Sequence, residues 1–224
     1  MILVEACVES LEAAVAAAAG GAQRIELCVN LAAGGTSPDG AVLAACLSTL
    51  AIPVFVMVRP RAGDFRYSAA EHTAMLDEIR RAKDAGAHGI VTGALRAGGS
   101  VDETRTGDLI DAARPLPVTF HRAFDDCPDP AQALETVIAL GASRVLTSGA
   151  APTAPEGAAA IARLVRLAAG RIGILAGGGI NGDNVADLVR TSGVREVHLS
   201  TKDAHKIRRV VENLPNGPEP ATRF

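Results

Sequence analysis

Two short segments of the sequence repeat the pattern Glu-x-Cys, which combines side chains that bind metals with side chains that transfer protons. Glu5 and Cys7 belong to the first segment, and Glu26 and Cys28 belong to the second. Each segment reads as a β-strand in which alternate side chains share a face. Neighbouring strands lie about 4.8 Å apart, so the two thiolates could hold a soft ion such as Cu(I). Alternatively, both cysteines are small buried hydrophobic residues, which is the commoner role.

A third segment, residues 117–125, begins as an apolar strand and ends in a cluster of titratable groups. His121 lies on one face of this strand, and Arg122 and Asp125 follow it. An apolar strand with such an ending delivers chemistry to its carboxyl end. We therefore expect a functional site where this strand stops.

Glu5, Glu26 and His121 are the candidate catalytic residues. Two buried carboxylates side by side are costly unless cations or hydrogen-bond donors reach them. The expected partners are Arg59, His121 and His198. One interpretation is an acid–base site in which one carboxylate raises the pKa of the other. The other interpretation, equally weighted, is a satisfied polar layer that closes the mouth of a barrel.

The elements that would position these residues alternate strictly between strand and helix. Eight strands begin near residues 2, 24, 53, 87, 117, 143, 171 and 195. Strict alternation predicts a parallel sheet covered by helices, and eight units of this length predict a compact (β/α)8 TIM barrel. An open doubly wound sheet is the main rival, but no GxGxxG follows the first strand. We predict one domain over residues 1–214, with a short segment after the last strand and a disordered tail over 215–224.

Capping signals predict where several helices begin. They are Ser37 with Pro38 for the second helix, the capping box from Ser68 to Glu71 for the third, and Asp102 for the fourth.

The strand phases predict which side chains face the barrel interior. Along each strand, the set of alternate residues that carries polar side chains should point into the barrel. The other set is mostly Val, Ile, Leu and Phe, which suit packing against the helices. The predicted interior residues are Glu5, Cys7, Glu26, Cys28, Met57, Arg59, Thr92, Thr119, His121, Glu196, His198 and Ser200. Met57 is interpreted as a core residue and not as a ligand.

Further candidate ligand-binding residues follow the strands at the same end of the barrel. Loops after strands seven and eight often bind phosphate in these barrels, which points to Gly177, Gly178, Gly179 and Ser200. Arginines would hold negative charge. The remaining candidates for a small anionic ligand are Arg59, Arg61, Asp64, Arg122, Asp125, Ser148 and His198.

Composition excludes several classes of function. The chain has 224 residues and a formal net charge of −3, and it carries no basic patch for nucleic acid. It shows no signal peptide and no apolar run of the roughly 20 residues that a membrane span needs. Four scattered cysteines without CxxC spacing predict a reduced, cytoplasmic protein. No motif indicates an organic cofactor.

Several ordered segments together resemble the CutC family of copper homeostasis proteins. They are Val4-Glu5-Ala6-Cys7-Val8, Gly21-Ala22-Gln23-Arg24-Ile25-Glu26-Leu27-Cys28, Val58-Arg59-Pro60-Arg61 with Gly63-Asp64-Phe65, Thr119-Phe120-His121-Arg122-Ala123-Phe124-Asp125, Arg144-Val145-Leu146-Thr147-Ser148-Gly149 and Glu196-Val197-His198.

The resemblance implies a TIM barrel, a cytoplasmic location and a role in copper handling. It also implies that Cys7 and Cys28 are the natural ligands for Cu(I), and that the chain could form a homodimer. The sequence departs from the family pattern at Glu9 and at Thr36-Ser37-Pro38-Asp39, and its segment after strand eight is shorter. An enzyme acting on a small anionic or phosphorylated metabolite is the alternative function.

Overall fold

The computed structural model describes residues 2–201 and 203–215, and strands alternate with helices throughout. The strands are β1 (Leu3–Val8), β2 (Arg24–Leu27), β3 (Val54–Met57), β4 (Gly89–Thr92), β5 (Val118–Phe120), β6 (Arg144–Thr147), β7 (Gly173–Gly177) and β8 (Glu196–Ser200). The α-helices are α1 (Leu11–Ala19), α2 (Gly40–Thr49), α3 (Ala69–Asp84), α4 (Glu103–Ala113), α5 (Pro130–Leu140), α6 (Ala158–Ala168), α7 (Val185–Ser192) and α8 (Ala204–Glu212). Two short 3-10 helices cover Leu31–Ala33 and Arg122–Asp126.

The eight strands form a closed parallel barrel in sequence order, with β8 paired back to β1. The predicted (β/α)8 TIM barrel is therefore confirmed, and the open-sheet alternative is wrong. The domain boundary at residue 214 stays a prediction, and the predicted disorder of the tail falls almost wholly outside the described residues.

Two of the three capping predictions are confirmed. Ser68 and Glu71 form a reciprocal capping box at α3, and Asp102 accepts a hydrogen bond from the backbone of α4. The prediction for α2 is wrong, because Asp39 caps this helix. The Ser37 hydroxyl instead donates to Glu78 and accepts from the backbone N–H of Arg59, so it ties the β2–α2 loop to the end of β3.

The apolar residues form two clusters, one on each side of the barrel wall. The larger cluster lies between strands and helices and contains most of the buried Val, Ile and Leu. The smaller one lies inside the barrel and consists of Cys7, Cys28, Phe55, Met57 and Val91.

Thr92 does not face the barrel interior as predicted. Its neighbour Val91 belongs to the inner cluster, so Thr92 points toward the helices, where its hydroxyl donates to the carbonyl of Val58. Strand β4 reads Gly-Ile-Val-Thr, and the polar residue misled the phase assignment because a buried threonine can satisfy its hydroxyl on the neighbouring backbone.

Candidate functional site

The thiols of Cys7 and Cys28 lie together inside the carboxyl end of the barrel. Cys7 belongs to β1, and Cys28 directly follows β2. Both are buried and free, and their sulfur atoms are 3.3 Å apart. The structure thus brings together the two residues that sequence reasoning proposed as metal ligands, and their role as ligands stays a prediction.

Cys7 also contacts a carboxylate. The parallel register places Cys7 opposite Glu26, and the thiol donates to Glu26 Oε1 over 3.2 Å. The hydrogen bond with Cys28, burial and the nearby charge of Glu26 all raise the pKa of the Cys7 thiol. Without a metal, Cys7 is therefore a thiol and not a thiolate at neutral pH.

Glu5 is fully buried one layer deeper in the barrel. Its carboxylate contacts the guanidinium of Arg24, and it accepts a hydrogen bond from His198 Nδ1 over 2.7 Å. Burial alone would raise its pKa, but the hydrogen bond and charge of His198 and the charge of Arg24 lower the pKa to about 2. Glu5 is thus a fixed carboxylate, which suits positioning better than proton transfer.

Arg24 is a site residue that sequence reasoning missed. It contacts Glu5, bonds Glu196 at 2.5 Å, and lies over the ring of Phe55, with Arg144 also over that ring. The signal was available, because Arg24 precedes Glu26 by two residues and must share its face of β2.

Glu26 has one carboxylate oxygen that is bonded and one that is not. Oε1 accepts from Cys7, whereas Oε2 is buried without a hydrogen-bond partner among the described residues. The Nδ1 atom of His198 lies 3.9 Å from Oε2, which is beyond hydrogen-bond distance. Burial raises the pKa of Glu26, and the charge of Glu5 adds to this, against the opposing effect of His198.

His198 is the imidazole closest to both carboxylates. Burial alone would lower its pKa, but the charges of Glu26 and Glu5 and the hydrogen bond to Glu5 raise it. Because Nδ1 is engaged by Glu5, Nε2 is the nitrogen that remains for a ligand.

His121 has its tautomer fixed by the backbone. The N–H of Ala123 donates to Nδ1 over 3.3 Å, so the ring proton resides on Nε2, which is buried without a partner in the described part of the chain. Burial and the charge of Arg59 lower the pKa of His121 to about 3. At neutral pH the imidazole is therefore uncharged, with Nε2 as a hydrogen-bond donor, and the predicted catalytic role of His121 is untested.

Arg59 does not pair with the buried carboxylates as expected. Its guanidinium donates to the carbonyl of Gly35 at 2.8 Å and to that of Gly63 at 2.7 Å, and it lies over the ring of Phe65. Carbonyl groups from two loops capture this cation before it can reach Glu5 or Glu26. Arg59 therefore clamps the β2–α2 and β3–α3 loops over the barrel mouth.

A cavity of about 250 Å³ opens at this mouth. Cys7, Glu26, His121 and His198 all reach its wall, while Cys28 is buried behind it. The other lining residues are Leu31, Gly34, Met57, Arg59, Phe65, Arg122, Leu146 and Ser200.

Asp125 and Ser148 form a structural cluster beside the cavity. Asp125 accepts hydrogen bonds from the hydroxyl of Thr147 and the backbone N–H groups of Ser148 and Ala150. Arg122 donates to Asp125 and Ser148, and of these residues it alone lines the cavity. The cluster holds the loop after β6, so Arg122 is the member best placed to touch a ligand.

Arg61 and Asp64 lie on the exposed β3–α3 loop. Arg61 pairs with Glu71 at 2.6 Å and with Asp64 at 3.0 Å. Hydrogen bonds from Arg66 and Arg61 lower the pKa of Asp64 to about 2. These contacts fold the loop, and the two side chains lie outside the set that lines the cavity.

The three consecutive glycines at the end of β7 have steric reasons for being glycine. A Cβ on Gly177 would lie 2.6 Å from Leu146 Cδ1, and Gly178 and Gly179 have φ values of +106° and +71°. Gly179 and Ser200 also line a separate cavity of about 440 Å³ with Lys206 and Arg209. Anion binding by this loop stays a prediction.

The fold and the position of these residues define a TIM-barrel protein whose functional groups converge at the carboxyl ends of the strands. The sequence model of the CutC family matches residues 2–203. The chain belongs to the CutC family.

Similar proteins carry names from the same family. The chain is 50% identical over 200 residues to the copper homeostasis protein cutC homolog of Homo sapiens, a match covering 89% of this chain and 73% of the human protein. It is 48% identical over 200 residues to the family protein CutC of Chromobacterium violaceum, covering 89% and 81% of the two chains.

Solved structures agree on the fold. The crystal structure of the putative copper homeostasis protein CutC from Streptococcus agalactiae superposes with a TM-score of 0.86 at 35% identity, over 90% of this chain and 99% of that one. Phosphoribosylanthranilate isomerase from Thermotoga maritima matches with a TM-score of 0.63 at 13% identity, over 95% and 98% of the two chains, which shows the barrel alone. Within residues 2–201 and 203–215, no helix has the length and apolar character to cross a membrane.

Proposed function

We propose that this chain handles copper in the cytoplasm by binding one Cu(I) ion between Cys7 and Cys28. The observation that carries the proposal is the 3.3 Å separation of the two sulfur atoms. Metal–thiolate bonds are about 2.3 Å long, so one ion can reach both sulfurs. Thiolate and thioether sulfur are the ligands that select Cu(I).

The surroundings of the thiols support a soft ion. Both cysteines belong to the inner apolar cluster with Met57, and a Cβ on Gly35 would lie 3.5 Å from both the Cys28 sulfur and the terminal methyl of Met57. The Met57 side chain and the Cys28 sulfur thus both lie against Gly35. A reducing compartment suits this pair, because two free thiols so close are readily oxidised.

The test is an anaerobic Cu(I) titration against a competing chelator. Wild type should bind one ion tightly, and Cys7→Ser/Cys28→Ser should lose this binding. Cys46→Ser is the matched control, since Cys46 is a buried free cysteine on α2 outside the inner cluster. Equal binding by wild type and the double variant would refute the proposal, provided that thermal unfolding shows both to be folded.

A second candidate function is catalysis on a small anionic metabolite. It is favoured by Glu26 Oε2 and His121 Nε2, which are buried and have no hydrogen-bond partner within the described part of the chain. Both residues line one cavity together with Arg122. Such a ligand would accept a hydrogen bond from Nε2 of the neutral His121. Glu26 would act as the general base. A screen of phosphorylated metabolites by thermal shift should then show stabilisation that Glu26→Gln and Arg122→Gln abolish and Cys28→Ser retains. Catalysis at this site would be rejected if no metabolite raised the unfolding temperature. It would also be rejected if Glu26→Gln and Arg122→Gln were stabilised as much as wild type.

A further inference from the structure

Cys7 lies between two different sets of donor atoms. One set consists of the sulfur atoms of Cys28 and Met57, which share the inner apolar cluster with Cys7, and the other consists of the carboxylate of Glu26 and the imidazole of His198. We infer that Cys7, Glu26 and His198 form a site for a divalent, borderline-soft ion of the Zn²⁺ type, separate from the sulfur pair proposed for Cu(I).

The three side chains are close enough to share one ion. One ligand atom from each lies within 4.8 Å of the other two, and all three residues are at least nine-tenths buried. Ions bound at about 2.0 to 2.3 Å separate their ligand atoms by roughly 3 to 4 Å. The largest of these separations therefore has to shorten by only about 1 Å for the three atoms to share an ion.

The unpartnered oxygen of Glu26 points independently to a missing ligand. Glu26 is 2% exposed, and its Oε2 has no hydrogen-bond partner among the described residues. A buried carboxylate oxygen without a partner is rare in folded proteins, and an ion is a standard explanation. Glu26 is also one of the residues that line the cavity at the barrel mouth.

The hydrogen bond from His198 to Glu5 completes the arrangement. Metal-bound histidines commonly donate their other ring N–H to a carboxylate, which fixes the tautomer and strengthens the ligand. Glu5 accepts from Nδ1 at 2.7 Å and is itself held by Arg24, so Nε2 is left for the ion.

The donor chemistry distinguishes this ion from Cu(I). One thiolate, one carboxylate and one imidazole suit Zn²⁺, whereas two thiolates and a thioether suit Cu(I). Three protein ligands beside a cavity of about 250 Å³ leave a fourth position open for water or a small ligand. Because Cys7 belongs to both sets, the two ions should compete.

The experiment compares Zn²⁺ and Co²⁺ binding by the full chain and four variants. Wild-type protein loaded with Co²⁺ should show the absorption band of a cobalt–thiolate bond, and Zn²⁺ should displace it. Glu26→Gln and His198→Gln should each weaken Zn²⁺ binding at least about tenfold, which is the size of loss that removing an outer partner alone can produce. Cys28→Ser should retain Zn²⁺ and lose Cu(I), and Cys46→Ser should retain both.

Three results would overturn the inferred Zn²⁺ site, and each can be distinguished from failure of the proposed Cu(I) site. Zn²⁺ binding that survives Glu26→Gln and His198→Gln would remove the site. Zn²⁺ binding lost in Cys28→Ser would assign both ions to the sulfur pair. Absence of any Zn²⁺ or Co²⁺ binding by wild type, with Cu(I) bound normally, would reject the divalent site alone. Wild type that binds Zn²⁺ but not Cu(I) would instead reject the proposed function and support the divalent site.

Discussion

His198 Nδ1 donates a hydrogen bond to Glu5 Oε1 over 2.7 Å, and this contact joins the last strand of the barrel to the first. The two residues are directly opposite each other in the β1–β8 register. Glu5 also contacts Arg24 on β2, so one buried carboxylate connects three neighbouring strands.

Replacing Glu5 should destabilise the protein strongly. Glu5→Gln leaves Arg24 and His198 without their buried anion, and breaking a buried pair costs about 3 to 5 kcal/mol. The free energy of unfolding, measured by urea denaturation, checks this. The control is Glu135→Gln, which removes the exposed pair with Arg171 and should change stability by less than about 1 kcal/mol. Equal effects of the two substitutions would contradict the prediction.

Acid should destabilise the protein through His121. Its pKa is lowered to about 3 in the folded state from 6.5, so the unfolded chain binds an additional proton between these values. The stabilising contribution is therefore complete above pH 6.5 and is lost as the pH falls toward 3, by up to about 1.4 kcal/mol per pH unit.

The measurement is the free energy of unfolding from pH 7.5 to pH 4.5 in wild type and His121→Asn. The variant should lose less stability with acid than wild type does. Nitrogen NMR of the wild-type imidazole should show the neutral Nε2–H tautomer at pH 6. Parallel pH profiles of the two proteins would show that His121 does not titrate as described.

A side chain at position 177 should disturb the packing of Leu146 and His198, which line the cavity at the barrel mouth. The added methyl of Gly177→Ala would lie 2.6 Å from Leu146 Cδ1 and 3.3 Å from His198 Cβ, and overpacking typically costs about 1 to 3 kcal/mol. Adding Leu146→Val should restore part of this loss in a double-mutant cycle. Gly40→Ala is the control, because nothing lies within 4 Å of its added Cβ at the start of α2. Additive effects of Gly177→Ala and Leu146→Val would contradict the proposed clash.

Removing the clamp formed by Arg59 should loosen the barrel mouth. Arg59→Gln gives up the hydrogen bonds to the carbonyls of Gly35 and Gly63, so amide hydrogen exchange should accelerate in residues 30–37 and 60–67. Arg59→Lys should restore little protection, because an ammonium group cannot span two carbonyls as a planar guanidinium does. If amide hydrogen exchange in these loops were unchanged in Arg59→Gln, the loops would be stabilised without the Arg59 hydrogen bonds.

The sequence was sufficient for the fold and for the thiol pair. Eight regularly spaced strands can close in only a few ways, and the repeated Glu-x-Cys pattern places both cysteines on the inner face of adjacent strands. The alternation of side chains along a strand is a local property, so the face that each residue occupies in the barrel wall can be predicted from the sequence.

The partners of the buried charges could not be assigned in the same way. Arg59 and Arg24 are both arginines on inner strand faces, yet only Arg24 reaches Glu5. The difference depends on height along the barrel and on which loop carbonyls are nearby, and neither follows from strand phase. The tautomer of His121 depends on the N–H of Ala123, which is fixed only once the 3-10 helix forms.

The pairing of the first strand with the last also determines when the site can form during synthesis. Glu5 lies on the first strand of the barrel, and its imidazole partner is translated 193 residues later. Until β8 is made, the barrel has an open edge and Glu5 lacks His198 as a donor. Contacts so distant in sequence form late in folding. The cluster at the carboxyl end of the barrel is therefore assembled only after translation of nearly the whole barrel, so a ribosome-bound fragment ending before residue 196 should lack the contact between Glu5 and His198.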